Sequence, residues 1–223
     1  MPILDTHERY LQIAFNYDLS LARRILPQIT PSNRILIEAG TPFIKREGMH
    51  GIRSLRAMWP GIIVADMKTT DGGAQEVRMA RSAGANAITV LGGSPSETLD
   101  AFIAQCEQFK MLSMIDLLGV DDPLDVLRPL NTPPDVAVLH RGRDEESTLG
   151  KVIEYRHVKR MRSKHDFVIS AAGGVDLRES RSAIFNGANI VVVNLVRPGD
   201  PWQGISTDSD VGAIAREFLE TIS

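Results

Sequence analysis

Asp66, Lys68 and Asp71 stand in the pattern Asp-x-Lys-x-x-Asp directly after the apolar run Ile62-Ile63-Val64-Ala65. In an extended strand, residues two apart point to one side, roughly 7 Å apart along the chain. Asp66 and Lys68 therefore project together if the strand continues through Lys68. Asp71 follows a short turn, where a helix would begin. Two carboxylates around one ammonium hold the lysine charged, and one of them can bind a metal. An isolated ion pair at a strand end contributes little. The rest of the chain weighs against that reading, because polar residues recur at the ends of many other apolar segments.

Those segments are eight in number and short: 10–15, 35–37, 62–65, 87–91, 111–115, 136–139, 167–171 and 190–193. Stretches with helical character lie between them, at 19–29, 47–58, 74–83, 96–109, 123–130, 147–162, 177–185 and 208–222. The segments are too apolar and too short for half-exposed antiparallel strands. They read as buried parallel strands joined by crossover helices. Eight such units, spaced by about 25 residues, make a (β/α)8 barrel, one domain over residues 1–223. An open doubly wound sheet is the rival, but no glycine fingerprint for a dinucleotide follows the first strand.

In a barrel of this kind, chemistry sits at the C-terminal ends of the strands. The residues there are Asn16, Glu38, Asp66 with Lys68, Asp116, His140, the pair Gly173-Gly174, and Asn194. Taken singly, each has a mundane account. Asp116 could cap a turn, and a lone histidine is usually a satisfied strand-end residue. Their convergence on one rim raises the functional reading. Gly173-Gly174 opens a helix, where backbone N–H groups make an anion site. The loop after the eighth strand, carrying Arg197, is its usual partner. Arg141 and Arg143 add cations beside His140, and one of them could hold an anionic substrate.

Composition sets the outer bounds. The chain has 223 residues, of which 43% are hydrophobic and 24% charged, with a net charge of −3. This balance gives no footprint for nucleic acid or a membrane surface. The single cysteine, Cys106, excludes an internal disulfide and fits a reducing, cytoplasmic setting. Its place in an amphipathic stretch predicts a packed thiol. The first residues are polar, without a signal-peptide pattern.

The run Asp66-Met67-Lys68-Thr69-Thr70-Asp71 resembles the D-x-K-x-x-D motif of the orotidine 5′-monophosphate decarboxylase suprafamily. The similarity is greater to its 3-hexulose-6-phosphate synthase branch, particularly the archaeal kind. Stretches 11–14, 38–49, 65–79, 115–120 and 172–175 carry it, most strongly between Glu38 and Val120. The resemblance implies a homodimer of barrels in which Asp71 reaches into the neighbour's site. It implies Mg²⁺ near Glu38 and Asp66, stabilising an enediolate made from a ketopentose phosphate. In the synthase the enediolate attacks formaldehyde. In the related 3-keto-L-gulonate 6-phosphate decarboxylase it forms by loss of CO₂. Lys68 would stabilise negative charge and His140 would move protons.

Three departures keep alternatives open. Asn16 replaces the aspartate usual after the first strand. His140 is followed by Arg143, as in the keto-gulonate decarboxylase. Asn194 replaces a glycine of the phosphate grip, and its loop reads as shortened, with Arg197 as the compensating cation. Aldolase, decarboxylase and a non-catalytic member that senses a phosphorylated metabolite all remain. Orotidylate decarboxylase itself fits less well, because its motif carries a further lysine before the first aspartate.

Overall fold

The computed structural model describes residues 4–146, 148, 152–164 and 166–223. Eight parallel strands close into a ring: β1 (Tyr10–Phe15), β2 (Ile35–Ala39), β3 (Ile63–Thr69), β4 (Ala87–Leu91), β5 (Leu112–Asp116), β6 (Val136–His140), β7 (Val168–Ala172) and β8 (Ile190–Val196). β1 pairs with both β2 and β8, which seals the cylinder. A two-residue strand, β9 (Ile205–Ser206), pairs with the far end of β8. The fold is the (β/α)8 barrel that the spacing predicts.

The helices are α1 (Leu19–Ile25), α2 (Thr41–Met58), α3 (Gly73–Ser82), α4 (Ser96–Phe109), α5 (Pro123–Leu127), α6 (Arg143–Glu146), α7 (Val158–Arg162), α8 (Leu177–Phe185) and α9 (Val211–Thr221). Several differ from expectation. α2 begins at Thr41, six residues early, because Gly40-Thr41-Pro42 is a start signal with proline in the first turn. Gly48 then breaks it with φ 59°, and the expected helix from 47 is its second half. The expected helix 147–162 falls partly outside the described residues. Of its described part, only α7 is helical.

The strands alternate between two environments, as the pleat requires. One set of side chains fills the lumen: Tyr10, Ala14, Leu36, Val64, Met114, Val138, Val168 and Val192 among others. The opposite set, Ile13, Ile37 and Val193 among it, packs beneath the helices and forms the larger core with helix residues such as Phe43 of α2 and Phe102 of α4. Cys106 belongs to that outer core, fully buried. Burial pushes its thiol pKa up, so it is a packed thiol, as expected.

The bottom of the barrel repeats one device in its two halves. Gly84-Ala85-Asn86 and Gly187-Ala188-Asn189 lead into β4 and β8. Asn86 Oδ1 accepts from the first N–H of β3, Ile63, at 2.9 Å and from Arg56 at 2.8 Å. Asn189 Oδ1 accepts from the Ile169 N–H of β7 at 3.1 Å and from Arg162 at 2.5 Å. Among the described residues, no helix is long and apolar enough to cross a membrane.

Candidate active site

Strand parity decides which side chains reach the mouth. Five lumen rows are apolar at depth and turn polar at the mouth: Leu36 then Glu38, Val64 then Asp66, Met114 then Asp116, Val138 then His140, Val192 then Asn194. These polar ends line one cavity of about 580 Å³ at the C-terminal face. Asn16, Lys68, Arg143 and Gly173 line it as well. Six of the strands run one to four residues further than expected, so Glu38, Asp116 and His140 are strand residues rather than loop residues.

Lys68 is the centre. Its φ is 48°, an uncommon value for a lysine, and the β3–β4 register shifts between Ala65 and Thr69. Local strain of this sort persists only where neighbours hold it. Here the Lys68 N–H donates to Thr89 Oγ1 at 2.9 Å. The ammonium donates to Asp116, lies 3.3 Å from Asp66 Oδ1 and 3.5 Å from His140 Nδ1. Burial works against its charge, but Asp66 and Asp116 outweigh that and raise its pKa above the usual lysine range.

Asp66 is held on both oxygens. Thr41 donates to Oδ2 at 2.7 Å and Thr89 to Oδ1 at 2.8 Å. Glu38, also buried, accepts from Gln12 Nε2 at 2.5 Å. Burial, then the nearby Asp66 charge, push the Glu38 carboxyl up to about 7. Asp116 has the opposite balance. Its burial is overcome by His140 and Lys68, and its pKa falls below the usual carboxylate range.

Asp116 also fixes His140. Its two oxygens lie 3.0 and 2.9 Å from Nδ1, and Oδ1 accepts from the Leu118 N–H at 3.0 Å. The expected turn cap is therefore real, and it serves the site. With the Nδ1 proton directed at a carboxylate, Nε2 is the basic nitrogen available to the cavity.

Glu38 and Asp66 are two carboxylates crowded at the cavity floor. Among the described residues no group of three or more metal-ligating side chains assembles. Mg²⁺ typically takes one or two carboxylates, completing its shell with waters and substrate oxygens. The donor set fits such an ion. The orphaned, buried Gln12 Oε1 beside Glu38 adds a further oxygen.

Several candidates lie elsewhere. Asp71 is exposed and accepts from its neighbour's Gly72 N–H at 2.7 Å, outside this chain's cavity. Arg197 is also exposed, stacked 4.4 Å from the Tyr17 ring and paired with Asp18 at 3.1 Å. Gly174 does not line the cavity. A Cβ built there would meet Arg141 at 2.0 Å and Glu146 at 2.6 Å, so those side chains fill its open face. Asn16 donates to Asn194 Oδ1 at 2.9 Å, a neutral pair across the β1–β8 seam. Sequence reasoning missed Gln12, Thr41 and Thr89. Gln12 and Thr89 carry a signal, being polar residues at lumen parity inside apolar strands.

The sequence profile of the orotidine 5′-phosphate decarboxylase / HUMPS family matches residues 9–194. The bifunctional enzyme Fae/Hps of Methanothrix thermoacetophila is 35% identical over 215 residues, covering 96% of this chain and 52% of the relative. Its counterpart in Methanosarcina barkeri is 36% identical over 216 residues, covering 96% and 53%. The chain thus spans about half the length of these relatives. Among solved structures, 3-hexulose-6-phosphate synthase from Salmonella typhimurium superimposes with a TM-score of 0.84 at 25% identity, covering 96% of this chain and 98% of that one. KGPDC from Streptococcus mutans, at 22% identity and a TM-score of 0.75 over 96% and 97% of the two chains, shares the fold. With the profile spanning most of the chain and the Asp66–Lys68 pair set at the barrel mouth, the protein belongs to the orotidine 5′-phosphate decarboxylase / HUMPS family.

Proposed function

We propose that this chain is a carbon–carbon lyase acting on a sugar phosphate, most specifically a 3-hexulose-6-phosphate synthase that joins formaldehyde to ribulose 5-phosphate. The carrying observation is Lys68, placed between Asp66 and Asp116 with His140 on the same acid. The names of the aligned relatives and of the 25%-identical structure support the same reaction class.

His140, oriented through Nδ1 by Asp116, takes a proton from the sugar carbon next to the carbonyl at Nε2. Lys68 faces the oxygen that gains charge and stabilises the enediolate. Because its own pKa is raised, Lys68 stays protonated and serves as a fixed cation rather than an acid. Glu38 and Asp66 would hold Mg²⁺, which when bound would supply a Lewis acid that stabilises the developing enediolate charge. Asn16 and Asn194 face the substrate from the β1–β8 seam, beside Gly173. Asp71 belongs to the partner's site in a homodimer, and the setting is cytoplasmic.

Purified protein with Mg²⁺ should consume formaldehyde only when ribulose 5-phosphate is present. Lys68→Ala should lose about 3–4 kcal/mol of transition-state stabilisation, the scale of a single oxyanion donor. An unchanged rate removes Lys68 from the mechanism. One observation favours a second reading: His140 and Arg143 both face the cavity, the pair seen in the keto-gulonate decarboxylase motif. CO₂ release from keto-gulonate phosphate, without formaldehyde consumption, would select it. Inactivity on both would select a non-catalytic binding role.

A further inference from the structure

We propose that Thr89 is a positioning residue of this site. Its hydroxyl joins the main chain of Lys68 to the carboxylate of Asp66, and so sets the direction from which the ammonium meets the substrate. The proposal rests on the reading of the cavity as an enediolate-forming site, because that reading gives Lys68 its role.

The need for such a group arises in the backbone. Ala65 of β3 pairs with Ile88 of β4, and Thr69 pairs with Val90. β3 thus advances four residues while β4 advances two, and Lys68 lies in the excess. A bulge takes its residues out of the ladder and re-aims their side chains. Lys68 turns here with φ 48°. A bulged N–H loses its ladder carbonyl and, when buried, needs another acceptor.

Thr89 stands on β4 between the two paired residues, opposite the bulge. Its Oγ1 accepts from the Lys68 N–H at 2.9 Å and donates to Asp66 Oδ1 at 2.8 Å. The N–H can only donate and the carboxylate can only accept, so the single proton of the hydroxyl points at Asp66. That same Oδ1 lies 3.3 Å from the Lys68 ammonium. The lysine is therefore held at both ends: its main chain by Thr89 directly, its ammonium by an oxygen that Thr89 orients. Thr41 also donates to Asp66, at Oδ2 and at the main-chain oxygen. The two threonines thus separate what orients Asp66 from what fixes the Lys68 backbone.

The side chain suits the task. Thr89 is 4% exposed and lines the cavity. Its branched Cβ restricts χ1, which keeps the hydroxyl in place. β4 ends in the apolar Leu91, so Thr89 is this strand's contribution to the site, from within the strand rather than from its end.

Steady-state kinetics with ribulose 5-phosphate and formaldehyde at saturating Mg²⁺ test the proposal, with denaturant melts to show that each variant is folded. Thr89→Val keeps the shape and removes both bonds. Its kcat should fall by a factor on the order of 100, the scale for an oriented group displaced by about 1 Å. KM should stay within about twofold. Thr89→Ala removes the same bonds from a smaller side chain and should behave alike. Thr89→Ser keeps the hydroxyl and should remain within about fivefold of wild-type kcat. Thr41→Val leaves the Lys68 N–H bonded and should lower kcat only about tenfold, the lower end for one bond to a charged group.

Equal losses in Thr41→Val and Thr89→Val would place the effect on Asp66 alone and overturn the proposal. So would a Ser variant as slow as the Val variant, or a raised KM with kcat intact. Crystal structures of the wild type and Thr89→Val give a reading independent of turnover. In the variant, Lys68 should leave the positive-φ region and its ammonium should move beyond about 4 Å from Asp66 Oδ1, the limit for an ion pair. An unmoved Lys68 overturns the proposal. A wild type inactive on ribulose 5-phosphate, with Lys68 displaced in the variant, would sink the synthase reading and leave the positioning role standing.

Discussion

Glu38 carries a stability cost as pH rises. Its carboxyl is buried beside Asp66, and its pKa of about 7 lies above the ordinary 4.5. The folded state thus holds this proton more tightly than the unfolded chain. Stability from this group is full below pH 4.5 and falls as pH rises towards 7. The interval is worth about 3 kcal/mol, the upper end for a group with no other compensation. In a buffer with chelator, Glu38→Gln should match the wild type near pH 4 and exceed its stability by up to that amount at pH 8. Denaturant melts at the two pH values measure it. A variant no more stable at pH 8 would show that Glu38 ionises there without penalty. The same variant should lose activity, because a neutral amide is a poor partner for a divalent ion. Asp66, Lys68, Asp116 and His140 were all legible as a group in the sequence, because a residue's parity and its place at the end of an apolar run are one-dimensional facts. Thr41 was not. Its hydroxyl bonds Asp66 across 25 positions of chain, and no local pattern reports such a contact.

At the level of elements, the eight strands were legible because parallel strands covered on both faces leave continuous apolar runs. Six of them end later than the apolar runs do, since the lumen's last layer is polar and hydrophobicity stops before hydrogen bonding does. α6 and β9 were missed. Each is a few residues long and depends on contacts made by other loops, Gln203 with Glu146 and Leu195 with Ile205. The paired Gly-Ala-Asn segments were also missed, although the repeat is visible once the strands they serve are known. Asn189 is fully buried and satisfies the Ile169 N–H of β7, while its own amide donates to Thr6 O at 2.7 Å. Asn189→Ala removes these bonds together and leaves Arg162 facing an apolar methyl. A loss of about 2–4 kcal/mol follows from buried donors left unpaired. Because Asn189 lies at the end of the barrel away from the cavity, KM should stay at the wild-type value. Chemical denaturation and steady-state kinetics on the same preparation check both parts. A KM change without a stability change would mean that the lower end of β8 communicates with the mouth.

For the molecule as a whole, one charged residue of the motif has no place in its own chain's cavity. Asp71 is exposed at the turn before α3, and Met79 on that helix is 41% exposed, a large apolar side chain on the same element. A two-fold dimer through this face would cover Met79 and carry Asp71 towards the other protomer's Lys68. Mixing two dead variants tests the arrangement. Lys68→Ala and Asp71→Ala protomers, unfolded and refolded together, form mixed dimers for about half of the population. In each mixed dimer one site has neither residue, and the other has a native Lys68 from one chain and a native Asp71 from its partner. About a quarter of wild-type activity should therefore return. If Asp71 worked within its own chain, every site in every dimer would lack one of the two residues, and the mixture would stay as inactive as its components.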